Sequence, residues 1–295
     1  MERVDDIIES VTIWADSVIQ SGREISMVSG VCKMCLQPKE LIRSHLIPRA
    51  VYKLCRTTDS DPVKISAEVV MQTSRQTQDY LLCVKCDNSL SEGGENWLLP
   101  KLKTWDEGFP LYDILVEVPP DTAEGDGAGY AAVRNPKIDV DAITHFAIGI
   151  FWKASVHPWI KDGKEPRIDL GPYSDKLRQF LRHEAAFPEN VTLTVGISPP
   201  ATMFSNALEP YRGSLSGARN YVFNVPGMQF VLTIGKTISQ EDKKVCFYAD
   251  PLHPIIVTDL GPAMMEIYRE QTKKAHKSKK LLAYLAAKKR KQTGS

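Results

Sequence analysis

The chain has 295 residues, 43% of them hydrophobic and 25% charged, with a formal net charge of +1. That is enough to bury a full core and predicts one medium unit plus a smaller one. No apolar run approaches the ~18 residues of a membrane span. Glu2, Asp5, Asp6 and Glu9 interrupt the stretch where an export signal would be apolar, so no membrane partner and a reducing, cytoplasmic setting are expected. The near-neutral total hides an asymmetry. Residues 269–295 hold ten Lys or Arg against one acid, a net of +9, which leaves 27 basic and 35 acidic residues and −8 for residues 1–268. Global charge therefore excludes broad electrostatic attraction to nucleic acid, and any such role needs a local patch.

In chain order, Val4, Ile7, Ile8, Val11, Trp14, Ala15 and Val18 recur at helical spacing, so the N-terminal segment 1–29 is read as carrying an amphipathic helix over residues 4–21, with a stop at Gly22. Residues 30–118 carry two Cys-x-x-Cys pairs and form a predicted metal-bound module. The acidic, Gly- and Pro-rich stretch 119–130 is expected to be a connector. Residues 119–268 then read as an α+β unit. Residues 141–156 suit a buried helix with Asp141 as its N-cap, and 174–183 a second helix. Strands are expected at Val191–Ile197, Tyr221–Val225, Met228–Ile234 and Val245–Tyr248, in an antiparallel sheet with Pro226-Gly227 as a turn. A basic helix over 263–291 is expected to close the chain.

The cysteines carry the first chemical signal. Cys32 and Cys35 form one pair, Cys83 and Cys86 the other, and 47 residues separate them. In a reducing setting two such pairs predict a four-thiolate zinc site rather than disulfides. The separation is long for a simple finger, so the insertion must be structure of its own. Within it, Leu41, Ile42, Leu46 and Ile47 flank a polar Arg43-Ser44-His45 centre, a pattern that suits a strand or hairpin exposing one polar group. Asp87 directly follows the last cysteine and is placed to open a helix. Cys55 and Cys246 read as small buried hydrophobes.

Residues 30–98 resemble the HNH, or His-Me finger, endonucleases. The resemblance is carried by the first Cys-x-x-Cys, by Ser44-His45-Leu46-Ile47-Pro48, by Leu81-Leu82-Cys83-x-x-Cys86-Asp87, and by Ser91-x-Gly93-Gly94-Glu95-Asn96-Trp97. It implies a zinc-stapled ββα-metal fold, with a β-hairpin and a helix around a catalytic Mg²⁺ or Mn²⁺. By position, His45 matches the general base. Asp87 matches the residue that holds the catalytic ion, and Glu95 is an additional acid. Ser44 stands where many members carry an aspartate ligand, and Gln78 where an Asn often supports the hairpin. The implied activity is phosphodiester hydrolysis, with DNA as the expected partner and a bacterial defence or restriction role as an association. Those roles are chemically coherent: a histidine of near-neutral pKa can deprotonate water, and oxygen ligands suit Mg²⁺ or Mn²⁺.

Arg43 and Arg49 flank His45 and are candidate phosphate contacts, as are Lys273, Lys274, Lys277, Lys279 and Lys280 in the basic tail. A solvated tail without function is the competing reading. His145 is read as a hydrogen-bonded core residue, and His157 and His253, each before a proline, as loop positions. Trp97 and Trp105 are expected to pack the zinc module, and Trp152 and Trp159 the core of the second unit. The alternative function is a non-catalytic, zinc-stabilised nucleic-acid- or protein-binding module. A thiol redox switch is a third reading. A homo-oligomer or an activating partner protein stays open.

Overall fold

The computed structural model describes residues 28–56, 63–65, 69–72, 75–104, 108–125, 127–159, 166–202, 206–213, 219–235, 238–239, 243–248, 250–272, 276–277, 279, 282–283 and 286–287. The expected N-terminal helix at residues 4–21 lies outside them, as do Trp105, Lys273, Lys274 and Lys280.

Strands β1 (Val28–Val31) and β2 (Pro38–His45) are joined by the first cysteine knuckle. The short helix α1 (Arg49–Leu54) and strands β3 (Val63–Ile65) and β4 (Val69–Gln72) fill the insertion. Strand β5 (Gln78–Cys83) then pairs antiparallel with β2, completing a three-stranded sheet in the order β1-β2-β5. Helix α2 (Val84–Leu90) follows at once. It runs into a π-helical turn over Ser91–Glu95 and a last α-turn over Asn96–Leu98. The chain thus presents strand, strand and helix around one corner, with the insertion as structure of its own.

After helix α3 (Pro110–Leu115) comes a correction. Residues expected as a connector form strands β6 (Thr122–Glu124) and β7 (Gly127–Ala131), paired with each other at one edge of a seven-stranded sheet. Glycine and acidic residues had masked the pairing. At Gly129 a Cβ would lie 2.4 Å from Thr122 Oγ1, so the close approach of the two strands favours glycine there.

Helix α4 (Val140–Val156) is buried nearly all round, as its composition predicts, but its N-cap is Asp139, whose carboxylate accepts from Ala142 N at 2.8 Å; Asp141 sits one residue inside. Helix α5 (Tyr173–Leu181) and strands β8 (Val191–Ile197), β9 (Leu208–Arg212), β10 (Arg219–Val225), β11 (Met228–Ile234) and β12 (Pro254–Val257) follow. The sheet order is β6-β7-β12-β8-β11-β10-β9, antiparallel throughout except for the parallel pair β12/β8. Gly227, at φ +91°, makes the expected Pro-Gly turn between β10 and β11. Val245–Tyr248 is not a strand: it lies in turns, with Cys246 and Phe247 buried.

Helix α6 covers Gly261–Thr272, but His276–Lys277 form strand β13, paired parallel with β4. The expected basic helix over 263–291 is therefore not continuous, because His276 and Lys277 pair as a strand within it.

The core shows why α4 is apolar on every side. One face meets the large sheet, with Phe151 at 4.8 Å and Phe146 at 6.4 Å from the ring of Phe223, which itself stacks on Phe230 at 4.7 Å. The opposite face meets the π turn of the cysteine module. Gly94 makes that contact possible: a Cβ there would come within 2.5 Å of Ala142 O and 2.6 Å of Phe146 N. Trp152, Leu46, Ile47, Leu82 and Leu98 are all fully buried within one continuous cluster that spans both regions. Trp159 is buried and donates Nε1–H to Lys153 O, and Trp97 packs partly buried against the core.

Candidate functional site

The four sulfurs of Cys32, Cys35, Cys83 and Cys86 lie within 4.8 Å of one another. A tetrahedral site with ~2.3 Å Zn–S bonds needs sulfurs about 3.8 Å apart, so the cluster fits one zinc ion with little adjustment. The geometry has local causes. Leu36 adopts φ +60°, and its N–H donates to Cys32 O, closing the first knuckle. Lys33 N bonds Leu81 O, docking that knuckle on β5. Burial pushes the Cys32 thiol up, but backbone N–H groups of Cys35, Cys83 and Met34 outweigh it and hold the thiol below its usual value; the Cys83 N–H reaches Cys32 Sγ at 3.3 Å. Such N–H···S bonds favour the thiolate a metal requires. A cleft lined by Met34, Cys35, Lys39, Lys85, Cys86 and Arg182 opens beside the knuckles, on residues other than His45, Asp87 and Glu95.

The second cluster forms at the other end of the hairpin. In the β2/β5 ladder Leu41 faces Cys83, while His45 faces Gln78, and the register shifts between Ile42 and Arg43. That irregularity leaves Leu81 without a ladder partner and resets the facing of the residues beyond it. Ser44 points inward, 1% exposed, and its Oγ donates to Asp87 Oδ1 at 2.8 Å. The seryl group expected in a ligand's place therefore acts as a strap, tying the end of β2 to α2. His45 is half-buried; burial and the nearby Lys153 lower its pKa, partly offset by a hydrogen bond with the Gln76 side chain and by the charge of Asp87. Glu95 lies at the end of the π turn, an element that often marks functional sites. Burial raises its carboxyl above the usual range, the Lys153 charge opposes that shift, and Asp87 adds to it.

Two residues of this cluster escaped the sequence reading. Lys153, 4% exposed, projects from α4, donates Nζ–H to His45 O at 2.8 Å and lies 3.8 Å from Glu95 Oε1. The available signal was a lone cation in the last turn of a mostly apolar helix, because a buried ammonium must be paired. Thr77 joins a second tie. Its Oγ1 donates to Glu209, a carboxylate also paired with Arg167 at 2.7 Å and within 3.4 Å of Tyr52 Oη. Thr77 O in turn accepts from Leu46 N at 3.0 Å. Nothing in local sequence pattern announces a contact across more than a hundred residues.

The structure thus brings together His45, Asp87 and Glu95 with Ser44 and Lys153. Arg43 and Arg49 are exposed near them, and the Arg43 guanidinium lies 5.8 Å from the centre of the Tyr80 ring. Of the tail cations, Lys277 and Lys279 are described and exposed. Among the described residues, His45, Asp87 and Glu95 do not form a second cluster as tight as that of the cysteines. A pair of carboxylates still suits Mg²⁺, which keeps several waters and takes one or two protein carboxylates. His145 is buried against Leu181 O at 3.1 Å, as expected of a core residue. His157 pairs with Asp79 at 2.8 Å, and His253 stands at φ +50° with Nδ1 against Phe247 O. Cys246 is buried as expected, while Cys55 is only half-buried by surface area, its thiol pushed up to about 12 by burial. Among the described residues no helix is long and apolar enough to cross a membrane.

Comparison with protein-family models, with curated proteins and with solved structures finds no match for this chain. What stands on structure alone is an α+β fold that holds a four-cysteine cluster fit for a metal ion such as zinc.

Proposed function

We propose that the chain is a zinc-stapled, metal-dependent phosphodiester hydrolase of HNH type, acting on DNA. The observation that carries this reading is the Ser44–Asp87 hydrogen bond, which fixes the end of the hairpin to the helix and sets the imidazole and two carboxylates around one corner. His45 is the general base. Its lowered pKa keeps the imidazole unprotonated at neutral pH, ready to take a proton from water. Asp87 and Glu95 would hold Mg²⁺ or Mn²⁺, an ion that supplies Lewis-acid stabilisation of the phosphate and the leaving oxygen. Lys153 offsets the charge of Glu95 before any ion binds. Arg43 and Arg49, both exposed, would contact flanking phosphates and contribute affinity without sequence preference. Lys277 and Lys279, both exposed, are further candidate phosphate contacts, as are the remaining tail lysines.

A second reading is favoured by the looseness of the acid cluster and by the lysine that already neutralises part of it: a zinc-stabilised binding module in which His45 only packs. Supercoiled plasmid separates the two. Under the hydrolase reading the protein nicks or cuts it in Mg²⁺ or Mn²⁺ and leaves it intact in chelator. Intact DNA under every metal would favour the binding module.

A further inference from the structure

The long helix of the sheet region does more than fill the core. Its residue Lys153 is 4% exposed, yet carries a charge. Burying an ammonium without partners is prohibitive, so the contacts it makes are the reason it is tolerated. Both point to the proposed site: Nζ donates to the main-chain oxygen of His45 at 2.8 Å and faces Glu95 Oε1 at 3.8 Å. A second observation shows that the approach is built in. Gly93 and Gly94 of the π turn lie where a Cβ would strike, respectively, the His145 ring at 2.4 Å and the α4 backbone at 2.5 Å. The two glycines let α4 lie directly against the turn that ends in Glu95. Trp159 Nε1 bonds Lys153 O at 2.7 Å and fixes the helix at that point.

We propose that Lys153 is a positioning residue, which sets the main chain of His45 and the carboxyl of Glu95 relative to each other. This rests on the hydrolase reading above for its catalytic consequence, but not for the contact itself. Lys153 acts through those two groups and touches no reacting atom. Its effect should fall on turnover, since DNA affinity comes from exposed cations elsewhere.

The test uses the full chain. His45 is the only histidine followed by leucine, so protein labelled with carbonyl-¹³C histidine and ¹⁵N leucine gives a single carbonyl–amide correlation, that of His45–Leu46. Lys153→Met should move that correlation, while Lys153→Arg, which retains a charged donor, should leave it near its wild-type position. In plasmid cleavage, Lys153→Met should lower kcat by about a hundredfold, the order expected for a ~1 Å misplacement of a catalytic group. KM should stay within about twofold, and Lys153→Arg should recover much of the loss. An unmoved correlation in Lys153→Met overturns the contact, and a moved correlation with unchanged kcat overturns the positioning role. If Lys153→Met does not fold, Lys153→Arg decides: a displaced correlation together with kcat at the wild-type level contradicts the proposal. A wild-type protein that cleaves nothing defeats the hydrolase reading, and the correlation still judges the contact.

Discussion

The two ends of the β2/β5 hairpin are held by different chemistry. At the Leu41/Cys83 end, four cysteine sulfurs gather and a backbone N–H group points at sulfur. At the His45/Gln78 end, roughly 13 Å away by strand rise, the ties among the described residues use no cysteine. A serine, a buried lysine and a threonine tie the chain to α2, α4 and β9 instead. The first end is local: its ligands come from two short turns. The second draws on residues scattered from 44 to 209. A metal staple can therefore build the hairpin, but the placement of His45 depends on the larger sheet region behind it. Under the hydrolase proposal that division separates stability from activity, and it can be broken at either end.

The largest effect should come from the staple. Cys86→Ser removes one of four ligands, and because structural zinc binding is coupled to folding, on the order of several kcal/mol of stability should go with it. Elemental analysis should find one zinc per wild-type chain and less in the variant, with a lowered thermal midpoint. Retention of both zinc and midpoint would show that Cys86 is not one of the ligands.

Next is the junction between the regions. Gly94→Ala drives a methyl group into the α4 backbone, a contact no side-chain rotation relieves, and should cost about 1–3 kcal/mol in urea unfolding. A neutral result would mean α4 does not lie against the π turn.

Comparable or smaller is the far tie. Glu209→Gln weakens the hydrogen bonds and the ion pair with Arg167 and should cost about 1–2 kcal/mol without releasing zinc. If zinc is released with it, the two ends are not separable.

The smallest expected effect is in pH. Protonated His45 cannot accept a proton, and its pKa lies below the ordinary 6.5, so activity should rise with pH and reach half its plateau at a pH below that value. Glu95, raised from 4.5, needs its carboxylate free and steepens the same acid limb. A profile still climbing well above pH 7 would point to a different base.

Much of the metal end was legible in the sequence, because Cys-x-x-Cys spacing encodes its own turn. The strands Val191–Ile197, Tyr221–Val225 and Met228–Ile234 were legible for a similar reason: alternation is written locally. Strands β6, β7 and β9 were not, since glycine, proline and acidic residues obscure their alternation. Val245–Tyr248 misled in the other direction, as strand-forming residues placed in turns to fill the core. In the candidate site, His45, Asp87 and Glu95 were nameable from short motifs. Lys153 and Glu209 were not, because their contacts depend on how two regions pack rather than on any spacing. Ser44 was legible only as a departure, and the structure gives it work as the strap on Asp87.

The central claim is that His45 works chemically while the cysteines work structurally. Its most direct test is plasmid cleavage by His45→Ala, measured alongside zinc content in the presence of Mn²⁺. The account predicts a folded protein with one zinc per chain whose cleavage rate falls at least about a hundredfold, as for loss of a general base. A His45→Ala protein that binds zinc and cuts DNA at the wild-type rate would contradict it.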